Sequence, residues 1–92
     1  MTALWRVTGG SRRVAFAVSR RIGGAVTRNR ARRRMREAYR RLQVGVPAGV
    51  DLVLIGRTGV VDVPFPSVLA DLGRVLQAVA RRAERRTERA GA

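Results

Sequence analysis

The chain has 92 residues, with 20 basic residues that are all Arg against 6 acids, giving a formal net charge of +14. That length admits one domain with a small core, and 46% apolar with 28% charged residues is ordinary for a folded chain, so the unusual quantity is the sign imbalance, which calls for a polyanionic partner. With no Cys and no His, disulfides, thiolate or imidazole metal sites, and Cys- or His-dependent catalysis are excluded. No run approaches the roughly 18 apolar residues of a spanning helix, and the N-terminus lacks the apolar core of a signal peptide. A cytoplasmic protein that makes no membrane contact is expected.

Leu4 to Thr8 is short, apolar and β-prone, and Gly9-Gly10 behind it is a turn signal that predicts a hairpin with the next strand. From Val14 to Ser19 the larger Val14, Phe16 and Val18 alternate with Ala15, Ala17 and Ser19, the period of a strand with a heavy and a light face. Gly23-Gly24 breaks that pattern, and either Thr27 or Asn29 can cap the helix that follows. In this helix Ala31, Met35, Ala38 and Leu42, with Tyr39 beside them, form one apolar stripe. The rest of its surface is almost wholly guanidinium. After the loop Gly45 to Gly49, Val50 to Ile55 is a nearly continuous apolar run of the kind found in buried central strands. A last helix from about Ser67 carries Val68, Leu69, Leu72, Val75, Leu76 and Val79 on one face, and its charged turns, Arg81 to Arg89, are expected to fray into solvent. The order is β-β-α-β-α, an α/β class chain of the α+β sandwich type with two helices on a small mixed sheet. It makes one domain over residues 1–92, folded over about 4–82, with a basic tail at 83–92.

Charge is focused on the first helix and its approach. Between Arg12 and Arg41 stand twelve arginines and one acid, Glu37, so this segment carries +11 of the +14. Arginine favours planar, bidentate phosphate contacts and stacking over point-charge attraction. Arg32, Arg36 and Arg40 fall in one row at spacing four, which weakens an isolated helix by a few tenths of a kcal/mol per pair and is relieved by an anionic ligand. A lone Asp51 at a strand start reads as a turn or salt-bridge partner in preference to a metal ligand. Nothing in the chain resembles a protein active site.

These residues resemble the protein subunit of bacterial ribonuclease P over about Leu4 to Arg82. Arg13-Val14-Ala15-Phe16-Ala17-Val18-Ser19-Arg20-Arg21 is similar to that family's second strand and the basic residues after it. Ile22-Gly23-Gly24-Ala25-Val26 is similar to the turn before its signature helix, and Arg28-Asn29-Arg30 with Arg32, Arg33, Arg36 and Glu37 resembles the signature itself. Asp51 to Ile55 with Arg57 resembles its late central strand, and the helix after Phe65 its C-terminal helix. Ala15 and Arg34 stand where many relatives carry Gly and an apolar residue.

The resemblance implies a left-handed crossover from the second strand through the basic helix to the third, against the general rule for parallel crossovers. It also implies a division of labour. The catalytic RNA subunit performs the magnesium-dependent endonucleolytic step that removes the 5′ leader of precursor tRNA, and the protein binds that RNA and the leader. The protein alone would hold no Mg2+ and would need no obligate protein partner. By this carry-over Arg28, Asn29, Arg32, Arg33 and Arg36 contact RNA, Arg30, Arg40 and Arg41 add peripheral attraction, and Arg20 and Arg21 approach the RNA backbone. Phe16 and Trp5 are candidates for stacking on leader nucleotides, with core packing as the other reading of each ring. The family begins with an aromatic-bearing helix ahead of the first strand, and Met1 stands almost at that strand, so a start further upstream is expected. A general structured-RNA-binding or ribosome-associated protein is the competing function.

Overall fold

The computed structural model describes residues 1–10 and 12–91, apart from the side chains of residues 58 and 87–91. Strands β1 (Thr2–Val7) and β2 (Arg13–Val18) are followed by helix α1 (Ala25–Leu42), strand β3 (Val50–Gly56) and helix α2 (Phe65–Gly91), with short 3-10 turns between them. The three strands lie in the order β1-β3-β2. β3 is antiparallel to β1, with Trp5 opposite Leu52, and parallel to β2, with Phe16 opposite Leu54.

The expected β1–β2 hairpin therefore does not form. β3 has the apolar run that tolerates burial, with Val50, Leu52 and Leu54 at most 2% exposed, and it takes the centre, leaving the alternating strands at the edges. Past Gly9-Gly10 the chain crosses the entrance of β3 to its far side, where β2 pairs. The amides of Thr8 and Gly9 donate to the Gly49 carbonyl at 2.7 and 3.3 Å, tying the end of β1 to the entrance of β3. Gly49 has φ +79°, and a Cβ there would lie 3.3 Å from the Gly9 backbone, so only glycine suits this crossing.

Both helices cover one face of the sheet, α1 over β2 and α2 over β1. The alternation along β3 shows which face, since Val50, Leu52, Leu54 and Gly56 are buried and Val53 is exposed. α1 supplies Ala31, Met35, Ala38 and Tyr39 to the core, with Leu42 partly buried beside them; α2 supplies Val68, Leu72, Leu76, Val79 and Ala83. This follows the apolar stripes of the sequence, with Ala83 added. α2 begins at Phe65, two residues before the expected Ser67, because Pro66 suits a first helical turn and the Ser67 amide donates to the Pro64 carbonyl at 2.9 Å. The helix also runs to Gly91 where fraying from Arg81 was expected. Ala83, 3% exposed, anchors this extension. The part of the fraying expectation that concerns the side chains of residues 87–92 lies outside the described residues.

Tyr39 carries a testable consequence. Its hydroxyl is buried and has no hydrogen-bond partner, and burial raises its pKa above the ordinary phenol value, against a smaller opposing pull from the Arg12 guanidinium. The neutral form is thus favoured in the fold, so this contribution to stability is whole below about pH 10 and is lost as pH rises through the raised value. Tyr39→Phe should leave stability near neutral pH unchanged or raised by up to about 1 kcal/mol, and should flatten the alkaline loss. Urea unfolding at about pH 7 and about pH 11 measures both; an unchanged alkaline slope would assign that loss to other groups.

Candidate nucleic-acid interface

The basic segment starts at the turn between β2 and α1. Ser19 Oγ accepts from the Arg21 amide at 3.2 Å, and the Gly23 amide donates to the Arg20 carbonyl at 3.3 Å, which holds Arg20 and Arg21 in a 3-10 turn with both side chains exposed. Gly23 has φ +141°, and a Cβ there would meet the Thr27 side chain at 3.2 Å. The residue before α1 is Gly24, with no side-chain cap. Thr27 and Asn29 lie inside the helix, so neither is its cap; the Gly-Gly turn delivers the chain into helical geometry before either is reached. No acid stands in the first turn of α1, which leaves its free N–H groups and positive dipole end open to an anion.

The arginines of this segment divide by their partners. Arg12 donates through Nη1 to the carbonyls of Gln43 and Val46, both at 2.9 Å, placing a cation on the C-terminal end of α1. Arg34 donates through Nη1 to the Val61 carbonyl at 2.8 Å and through Nη2 to the Val63 carbonyl. It straps α1 to the segment leading into α2. Arg40 and Arg41 share Glu37, with Arg40 Nη2 2.8 Å from its carboxylate. The Arg40 hydrogen bond is the first cause holding the Glu37 carboxyl below its ordinary pKa. Among the described residues, Arg20, Arg21, Arg28, Arg30, Arg33 and Arg36 have no acidic partner. Arg32 has none either; its Nη1 donates to Asn29 Oδ1 at 2.9 Å, so Asn29 acts as an orienting group for that guanidinium.

Phe16 and Trp5 sit in different surroundings. Phe16 is half-buried on the edge strand β2, its ring edge-on to Tyr39 at 5.8 Å and beneath the Arg36 guanidinium at 5.7 Å. Trp5 is half-buried on the other edge strand, β1, beneath Arg86 at 5.0 Å. On the flank of α1 facing α2, Arg30, Arg33, Arg34, Glu37 and Arg41 surround Phe65, with Arg41 stacked 4.9 Å over its ring. Asp51 pairs with Arg6 directly across the β1–β3 register at 3.4 Å, which is the salt-bridge reading of that acid.

The chemistry available is cation-to-phosphate pairing and stacking. Among the described residues no three His, Cys, Asp or Glu side chains gather as a metal cluster, and no helix is long and apolar enough to cross a membrane. The sequence assigns no RNA contact to Arg12 or Arg34, and it does not reveal that both serve the fold. Arg34 borders the stripe of Ala31 and Ala38 at helical spacing, and this was the available signal.

The fold is that of a small α+β protein whose first helix presents guanidinium groups with no acidic partner among the described residues, beside a three-stranded sheet. It belongs to the ribonuclease P protein family, whose pattern, Ribonuclease P, matches residues 1–83. The ribonuclease P protein component of Gluconacetobacter diazotrophicus is 45% identical over 78 residues, covering 84% of this chain and 67% of that protein. That of Chloroflexus aurantiacus is 52% identical over 66 residues, 71% of this chain, which span only 49% of that protein. The structure of the ribonuclease P protein from Thermotoga maritima superposes with a TM-score of 0.74 at 32% identity, over 83% of this chain and 74% of that one. The Staphylococcus aureus protein shares the fold, with a TM-score of 0.70 at 23% identity over 84% of this chain and 72% of that one.

Proposed function

We propose that this chain acts as the protein subunit of a ribonuclease P ribonucleoprotein. It binds the catalytic RNA and the 5′ leader of precursor tRNA and assists magnesium-dependent endonucleolytic removal of that leader. The observation that carries the reading is the set of guanidinium groups at Arg28, Arg30, Arg32, Arg33 and Arg36 that have no acidic partner among the described residues, on the positions that match the family's signature. Arg20 and Arg21 extend the set at the turn, and Arg40 lies at its far end.

Magnesium is a hard ion that takes oxygen ligands. The acid within the array, Glu37, is engaged by Arg40 and Arg41, so these residues do not fit a magnesium site, and the ion is assigned to the RNA. The protein's part is electrostatic: guanidinium groups offset phosphate repulsion between two RNAs that must approach closely. Phe16 offers a ring at the edge of the array, once Arg36 swings aside.

Cleavage of precursor tRNA by the cognate catalytic RNA at low magnesium tests this directly. Adding the chain should raise the rate by at least about tenfold, the scale that steering and charge neutralisation supply. A chain that binds structured RNAs broadly and leaves the rate unchanged would instead be a general RNA-binding or ribosome-associated protein.

A further inference from the structure

Two arginines of the cationic segment grip backbone carbonyls. Arg12 Nη1 reaches the carbonyls of Gln43 and Val46, both at 2.9 Å, and Gln43 is the C-cap of α1, so this contact pins the helix end. Arg34 stands among the signature residues, in the middle of α1. Its Nη1 donates to the Val61 carbonyl at 2.8 Å and its Nη2 to the Val63 carbonyl, while its Nε is buried without a partner. Its neighbour Arg33 is exposed and has no acidic partner among the described residues. Adjacent residues of equal charge thus have opposite surroundings.

Apolar packing alone sets the rotation of α1 loosely. Among the residues this helix buries are Ala31 and Ala38, whose short side chains make shallow ridges, and ridges seated in grooves are what fix a helix on its support. A rotation of about 20° moves a group about 6 Å from the helix axis by about 2 Å. That is enough to break a two-pronged contact between guanidinium and phosphate, whose hydrogen bonds hold over a far narrower range. A planar fork anchored on two carbonyls of another segment resists such a rotation.

We infer that Arg34 is a positioning residue for RNA binding: it touches no RNA, and by holding the Val61 and Val63 carbonyls it sets the rotation of α1 at which Arg28, Arg32, Arg33 and Arg36 meet phosphates. The inference rests on the RNA-binding reading above and adds to it the residue that orients the array. It separates two quantities that a contact residue changes together. Counterion release follows the number of charges beside the phosphates, and a shift of about 2 Å, a fraction of the Debye length of about 8 Å, leaves it almost unchanged. Directed hydrogen bonds are lost over the same shift.

The test compares Arg33→Met, Arg34→Met and Arg34→Lys with the native full chain, each bound to the cognate catalytic RNA across a salt series at a temperature where circular dichroism shows it folded. Arg34→Met should weaken binding at least about fivefold and leave the log–log slope within about 0.3 of the native value, whereas Arg33→Met should make the slope shallower by roughly 0.7–0.9. Arg34→Lys keeps the charge and loses the planar fork, so it should weaken binding as well. Native affinity in folded Arg34→Met would leave a strap that serves stability alone. Native affinity in Arg34→Lys would mean that charge without a fork suffices, and a slope change in Arg34→Met equal to that of Arg33→Met would make Arg34 a phosphate contact. Each of these three overturns the inference. The native chain supplies a check that needs no variant to fold. Treated with an arginine-specific dicarbonyl reagent and read by mass spectrometry, Arg33 should react in the free chain and be protected by the catalytic RNA, while Arg34 should resist in both states. An Arg34 that reacts when free and is protected by RNA overturns the inference and leaves the RNA-binding reading standing. A native chain that does not bind the catalytic RNA overturns both.

Discussion

Replacing Arg32, Arg33 and Arg36 together by Gln should weaken binding to the cognate catalytic RNA by about a hundredfold near 0.15 M salt. Each phosphate neutralised by a cation releases roughly 0.7–0.9 of a counterion, and at that salt each release is worth roughly 0.6–0.7 of a decade in affinity; three give about two decades. None of the three has an acidic partner among the described residues, so no intramolecular pair is broken to confuse the result. Removal of like charge from the α1 surface should leave the helix unharmed or slightly firmer. The comparison is Arg82, Arg85 and Arg86 replaced together, with the same loss of charge, which should weaken binding of this structured RNA by less. Filter retention on the two variants decides it. Equal losses would mean that net charge matters and the arrangement on α1 does not.

The second large effect is on the fold that holds this array in place. Leu54 is fully buried in the central strand, and Leu54→Ala should cost about 2–5 kcal/mol, through lost transfer energy and the cavity left behind. In a domain of this size each kcal/mol moves Tm by about 4–8 °C, so a fall of at least about 8 °C is expected. Net stability of small domains is only about 5–15 kcal/mol, which makes this a large fraction. Val53→Ala, one residue away on the open face and 36% exposed, should change stability by no more than about 0.5 kcal/mol. Thermal unfolding of the two variants reads which face of the sheet the helices cover. Comparable losses would contradict the alternation of burial along β3.

Much of this architecture is legible in the sequence because it rests on local periodicity. The stripe of Ala31, Met35, Ala38 and Tyr39 becomes the buried side of α1, and the unbroken run from Val50 becomes the central strand. Strand partners are a different matter. Gly9-Gly10 carries a turn signal, and nothing in the alternation of β2 tells that β3 will insert between the first two strands. The same limit applies to the arginines. Arg34 and Arg33 are equivalent in charge, and only the placement of the Val61 and Val63 carbonyls makes one a strap and leaves the other free. The helix start is hidden for a related reason, since Thr27 and Asn29 have capping side chains and the backbone at Gly23 and Gly24 starts the helix ahead of them. The stacking of Arg86 on Trp5 joins residues from opposite ends of the chain, and no local pattern encodes it.

The measurement that bears most directly on the guanidinium array is the salt dependence of binding to the cognate catalytic RNA, for the native chain and for the chain with Arg32, Arg33 and Arg36 replaced. If about six arginines neutralise phosphates, the log–log slope should be on the order of −4 to −5, and the replacement should make it shallower by roughly 2 to 3. A native slope near zero, or one that the replacement leaves unchanged, would contradict the claim that this helix grips RNA through its phosphates.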